Sequence, residues 1–356
     1  MNSFSIGSQF VGSNNPTYFI ADIAANHNGS LDKAIELIKL AADAGANAAK
    51  FQNFSAKTIV SDIGFKKLGR DLSHQSSWKS SVYDVYDRAS ISLEWTHHLS
   101  EACKAVGIDY MTAPYDLAFI KPIDPYVNCW KVGSGDITWL DNIKALCDTK
   151  KPILLATGAS SMADVVNAYN VVSQSGNDCV VMQCNTNYTG SLENFKYINL
   201  NVLRSYSLAF PQAVLGLSDH TPGHATVLGA ITLGARVIEK HFTDDVSQEG
   251  PDHAFSMDPD SWRSMVVSSR QLELSLGDGI KVVEGNEQRT VQLQRRALRA
   301  AKDIQSGQVL SLEDVACLRP CPEDGLEPSL LASVLGSTTD QFIAEGDLIP
   351  SSLLKL

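Results

Sequence analysis

Positive charge is what this chain has least of in any one place. Its 29 Lys+Arg stand against 40 Asp+Glu, a formal net charge of −11 at pH 7, and the lysines and arginines form no run and no helical stripe. That balance excludes nucleic acid and anionic membrane surfaces as expected partners. No run of 18 apolar residues occurs, so no membrane-spanning helix is expected. The first ten residues, MNSFSIGSQF, have neither a basic n-region nor an apolar h-region, so no secretory leader is expected. CxxC is missing too. The seven cysteines (Cys103, Cys129, Cys147, Cys179, Cys184, Cys317, Cys321) are odd in number and lie mostly in apolar runs, which predicts reduced core thiols in a cytoplasmic protein. The CxxxC of Cys317 and Cys321 is too little for a metal site. No GxGxxG turn follows the first apolar run, which argues against a dinucleotide fold.

What is there is alternation. Apolar runs at 18–24, 48–52, 109–113, 129–133, 153–157, 179–184, 214–218 and 236–242 alternate with segments of helical spacing, such as 31–44 capped by Ser30 and closed by Gly45. Strands alternating with helices read as a parallel sheet, and eight repeats in about 260 residues predict a (β/α)₈ TIM barrel. A doubly wound open sheet is the alternative. Residues 55–90 are polar and too long for an ordinary connection, so they read as a lid or as surface decoration. The texture changes after Gly277. The expected organisation is a barrel over 1–278, a polar linker over 279–295 and a small domain of short strands over 296–356. That domain is too small for more than a marginal core and would gain from docking on another surface.

In a barrel the C-terminal strand ends build the site. Here those ends supply Asp22, Lys50, Gln52, Thr112, Lys131, Ser134, Asp136, Thr186, Tyr188, Ser218, His220, Glu239, Lys240, His241 and, beyond the last strand, Asp252. Two lysines with serines nearby suit a phosphate or carboxylate cluster. Two imidazoles, His220 and His241, closing adjacent strands suit a divalent first-row metal with open positions. The plainer readings are structural. A strand-end histidine is usually hydrogen-bonded in the fold, and Lys50 could simply pair with Asp22 or Asp136. Lys240 alternates with His241 and so should point into the helix layer. His224 reads as a cap in the first turn of a helix, and His74, His97 and His98 as solvated.

With the ring assembled, the segments ADIAANHNGS, AAKFQ, MTAPYD, KVGSGD, LLATGASSM, QCNTNY, GLSDHT, GARVIEKHFT and GPDHAFSMDP match a known family in order. The chain resembles the sialic acid synthases, N-acetylneuraminate synthases and their nonulosonate relatives. Its tail, RRALRAAKDIQSGQVL and LRP, resembles their antifreeze-like (SAF) domain. The resemblance implies a cytoplasmic enzyme that condenses phosphoenolpyruvate with an N-acylated amino sugar, giving a nine-carbon α-keto acid and phosphate. It implies Mn²⁺ (Mg²⁺ or Co²⁺ as alternatives) on His220 and His241. Phosphoenolpyruvate would lie on Lys50, Thr112, Lys131, Ser134 and Ser218. The sugar would meet Gln52, Tyr188 and Asp252, and Thr186, at the end of the sixth strand, is a further candidate substrate contact. It also implies a domain-swapped homodimer in which Arg319 reaches the neighbour's sugar. Asp22 and Asp136, the candidate catalytic carboxylates beside Lys50 and Lys131, stand where the family usually has glutamate, and Ala156 stands where it has serine. Each aspartate shortens the reach by one methylene, ~1 Å, a displacement that can cost ~100-fold in rate. A Schiff-base aldolase on Lys50 or Lys131 and a non-catalytic sugar-binding protein are the competing readings.

Overall fold

The computed structural model describes residues 3–68, 75, 78 and 80–354. Two compact units divide the chain, Met1–Gly277 and Asp278–Leu356. The first opens with an antiparallel hairpin, β1 (Ser3–Ile6) and β2 (Gln9–Gly12). Eight parallel strands follow: β3 (Tyr18–Asp22), β4 (Ala48–Asn53), β5 (Asp109–Pro114), β6 (Trp130–Val132), β7 (Ile153–Ala156), β8 (Cys179–Cys184), β9 (Val214–Asp219) and β10 (Val237–His241). Their order around the sheet is β5-β4-β3-β10-β9-β8-β7-β6, and β5 packs beside β6 to complete the ring. The eight-stranded barrel expected from the apolar runs is the fold.

These strands are buried on both faces, which is why their sequences read as near-continuous apolar runs. Residues of one parity fill the interior. Tyr18, Ile20, Ala48, Met111, Leu154 and Val180 belong to one core cluster with Phe4, Ile6 and Val11 of the hairpin. The other parity, including Phe19, Phe51, Trp130, Leu155, Val181 and Ile238, packs under the helices as a larger core. The interior cluster draws on the first residues of the strands, so the hairpin closes the barrel's N-terminal end like a stopper. Above that cluster the interior turns polar, at Asp22, Lys50, Lys131, Ser218 and Glu239, and that is where the site lies.

The excursion over 55–90 carries three short helices, Ala56–Ile59, Asp62–Leu68 and Val82–Ala89. The second unit pairs β11 (Ala297–Ala300) with β12 (Val315–Leu318). Its own small core includes Leu298, Ile304, Leu310, Val334, Ile343 and Ile349. The polar stretch before it folds one helix, Gln288–Gln294. Among the described residues no helix is long and apolar enough to cross a membrane.

Candidate active site

The C-terminal strand ends surround a cavity of about 320 Å³. Strand register sets its floor. Asp22 sits opposite Lys50 on β4 and opposite His241 on β10, while Glu239 sits opposite Ser218 on β9. Interior parity therefore brings two cations, two carboxylates and an imidazole to one level. Lys50 Nζ lies 2.6 Å from Asp22 Oδ2 and 3.9 Å from Glu239 Oε1. Lys131 Nζ donates to Glu239 Oε1 at 3.0 Å, and Ser218 Oγ donates to the same oxygen at 3.0 Å. Glu239 Oε2 is buried without a partner. A cluster this dry stays ionised only through its pairing. Burial works against the charge on Lys50, yet Asp22 and then Glu239 outweigh it and hold its pKa above the ordinary value. Burial likewise opposes the charge on Glu239, but Lys131 and Lys50 pull its pKa down to about 2. For Asp22 burial is the larger influence and pushes the pKa up, with Glu239 adding to it against the pull of Lys50.

His220 and His241 meet at the rim of this cluster, their ring centroids 5.3 Å apart. His220 Nδ1 is 2.9 Å from the carbonyl of Asn185. A carbonyl can only accept, so Nδ1 carries the proton and Nε2 presents its lone pair. His241 Nε2 lies 3.5 Å from Asp22 Oδ2, and its Nδ1 is buried with no partner. Burial pushes both histidines down to about 3, helped at His220 by His241 and at His241 by Lys50. Among the described residues no three His, Cys, Asp or Glu side chains form a metal-holding group. Two neutral imidazoles with unmet nitrogens still fit a divalent first-row ion whose other positions go to water and substrate.

Aromatic residues line the upper wall. Tyr188 stacks edgewise on His220, centroids 4.5 Å apart. Across the cavity the 55–90 excursion contributes Ile59, Gln75, Trp78, Val85 and Tyr86, with Tyr86 and Phe54 in ring contact at 5.4 Å. Two carboxyls share this upper region, Asp136 and Asp252. Burial raises each to about 6, and Asp252 Oδ2 accepts a hydrogen bond from Ala25 N at 3.0 Å.

Comparison with known proteins decides what kind of site this is. The model of the NeuB family matches residues 37–281, and that of the SAF domain matches residues 295–355. The chain belongs to the NeuB family. It is 33% identical to an N,N'-diacetyllegionaminic acid synthase of Campylobacter jejuni, over 94% of this chain and 98% of the relative. It is 32% identical to a pseudaminic acid synthase of the same species, over 94% and 96%. The crystal structure of the spore coat polysaccharide biosynthesis protein SpsE of Bacillus subtilis matches with a TM-score of 0.65 at 28% identity, covering 100% of this chain and 99% of that one.

Within this NeuB barrel, Asp22, Lys50, Gln52, Lys131, Ser134, Asp136, Tyr188, Ser218, His220, His241 and Asp252 all line the one cavity. Thr112 does not, and this corrects the expectation for it. On β5 it has the parity of Tyr110, which packs in the helix-side core, and its hydroxyl binds Phe51 O and Asn53 Oδ1. Thr186 also stays out of the cavity lining; its methyl group packs toward Gly158, at 2.6 Å from where a Cβ would stand. Arg319 is exposed in the second unit, where its Nε donates to Gln294 O at 2.6 Å. Lys240 points into the helix layer, as its parity predicts, and pairs with Asp219. His224 takes the N-cap position of helix Ala225–Thr232 without a side-chain capping bond. His97 and His98 are exposed, and His74 lies outside the described residues. Glu239 is the residue that sequence reasoning left without a role, although it links both lysines. Its signal was parity: it shares the interior face with His241, two positions on.

Proposed function

We propose that this NeuB-family chain condenses phosphoenolpyruvate with the open-chain aldehyde of an N-acylated amino sugar, forming a nine-carbon α-keto acid and releasing phosphate. One observation carries the reading: a neutral imidazole pair and a two-lysine anion cradle face the same closed-bottomed cavity. Lys50 and Lys131 hold the phosphate and carboxylate of the enol phosphate, with Ser134 and Ser218 as hydroxyl donors. Glu239 lies between the two ammonium groups, 3.9 Å from Lys50 Nζ and 3.0 Å from Lys131 Nζ, and orients both before the anion arrives. A divalent cation on His220 and His241, Mn²⁺ by the family resemblance, would polarise the aldehyde oxygen.

C3 of phosphoenolpyruvate attacks C1 of the sugar, and positive charge develops at C2. Asp22, at the level of the lysines, stabilises that charge. Asp136, with a pKa near 6, takes the proton from the water that adds at C2. The tetrahedral intermediate collapses with cleavage of the C2–O bond, and Lys50 and Lys131 neutralise the departing phosphate. Tyr188, Gln52 and Asp252 bind the sugar above. Arg319 completes the sugar site from the partner chain of a domain-swapped homodimer.

The acceptor is an N-acetylated hexosamine, either of the N-acetylmannosamine type or a 2,4-diacetamido-2,4,6-trideoxyhexose. The second is favoured by the names of the legionaminic and pseudaminic acid synthases among the relatives. Steady phosphate release on a panel of phosphoenolpyruvate plus N-acetylmannosamine, its 6-phosphate and the diacetamido sugars tests the reading. Bridging ¹⁸O must leave with phosphate, and full activity after chelation would remove the cation from the account. A Schiff-base aldolase fares worse on this geometry, because Lys50 is held protonated by its carboxylates. Borohydride with pyruvate should therefore trap no lysine adduct.

A further inference from the structure

The two strand ends that carry His220 and His241 are tied together on the face turned away from the cavity. Asp219 ends β9 and Lys240 is the penultimate residue of β10; the two are register partners across the ladder. Both are buried, at 2% and 1% exposure. Lys240 Nζ lies 2.6 Å from Asp219 Oδ2 and donates to Thr221 O at 2.7 Å. Asp219 Oδ2 also accepts from Thr221 Oγ1 at 2.8 Å and from Thr226 Oγ1 at 2.7 Å. The network therefore grips the residues on both sides of His220 and the residue before His241. Neither Asp219 nor Lys240 lines the cavity.

Stability alone does not call for such a pair. One step back on the same outer face the two strands carry Leu217 and Ile238, ordinary core residues, and a buried ion pair is often no more stabilising than apolar side chains of equal volume. What the pair adds is direction. A one-residue slip between β9 and β10 would turn His241 out of the barrel, and it would also part Lys240 from Asp219, leaving two buried charges uncompensated. His220 has the Asn185 carbonyl to orient its ring, whereas His241 Nδ1 has no partner. Its ring is held from the cavity side by Asp22 Oδ2, 3.5 Å from Nε2, and by the edge of Phe255, ring centroids 4.8 Å apart, so the position of its backbone weighs more than it does for His220.

We propose that Asp219 and Lys240 are positioning residues that lock the last rung between β9 and β10, so that the two imidazoles converge on one divalent cation. This rests on the cation reading above. The test is Mn²⁺ binding in the absence of substrates, read from the EPR signal of free Mn²⁺, with the thermal midpoint measured on the same samples. Asp219→Asn and Lys240→Met should weaken Mn²⁺ binding about 10- to 100-fold. The apolar pair Asp219→Leu with Lys240→Met should recover the midpoint without recovering Mn²⁺ affinity. Thr226→Val, which removes one bond to Asp219, should show a smaller loss and serves if the single-charge variants do not fold. Ile143→Ala, a core truncation in the outer layer, should lower the midpoint and leave Mn²⁺ binding intact. An apolar double variant that binds Mn²⁺ as the wild type does, or a loss of binding that Ile143→Ala reproduces, overturns the proposal. A wild-type chain that binds no Mn²⁺ overturns the cation reading itself and this inference with it.

Discussion

Replacing Asp252 by Asn should make the barrel more stable at pH 8 and leave it nearly unchanged near pH 4. Burial lifts the Asp252 carboxyl to about 6, from about 3.9 in an unfolded chain. Between those values the folded protein holds a proton that the unfolded chain has released. Stability therefore falls as pH rises through that window, and the deficit is complete above it. Two units correspond to about 3 kcal/mol. Asp252 keeps part of its surface open to the cavity, and water there screens the charge, so about 1–2 kcal/mol is the working figure. Asparagine removes the charge and keeps an oxygen for Ala25 N, which Asp252 now accepts at 3.0 Å. Urea unfolding followed by tryptophan fluorescence, at pH 8 and pH 4, reads the difference from the midpoint of the barrel transition. A gain of equal size at both pH values, or a loss at pH 8, would refute the argument that an unpaired charge is being carried.

Three further expectations follow from the same site. The acid limb of log kcat/KM for phosphate release should fall below about pH 6, where Asp136 and Asp252 take up protons; Asp136→Asn should abolish activity rather than move the limb. Lys131→Met leaves Glu239, now 3.0 Å from Lys131, with a poorly compensated buried charge; denaturant midpoints should show about 3–5 kcal/mol lost, and Glu239→Leu in the same chain should return much of it without restoring turnover. Gly216→Ala would place a methyl 2.8 Å from Met182 Cγ and 2.9 Å from Val237 O, overpacking the barrel interior at a cost of about 1–3 kcal/mol in thermal unfolding.

The barrel was legible because each strand is apolar on both faces and each is followed by a turn or helix signal. The hairpin of residues 3–12 was not: SFSIGSQFVG alternates too briefly about Gly7 to stand out beside the long apolar runs, yet Phe4, Ile6 and Val11 pack inward. The ring of site residues could be read from strand ends, but its inner order could not. Alternation placed Lys240 outside and would have placed Thr112 outside too, had it been applied to β5. Glu239 was visible and unassigned because its meaning lies in distances to Lys50 and Lys131, residues 189 and 108 positions away (239 − 50 and 239 − 131). The excursion over 55–90 carries no strong period, so its place as a cavity wall emerges only once Trp78 and Tyr86 are seen beside Phe54.

The stopper at the foot of the barrel has a consequence for traffic. With β1 and β2 filling one end, the chamber is a blind alley: whatever enters must leave by the door it came through. The lysines stand at its far end and the aromatic wall near its entrance. On the proposed reading, with the enol phosphate on Lys50 and Lys131, the small anion would be seated before the bulkier sugar, and inorganic phosphate would follow the larger product out.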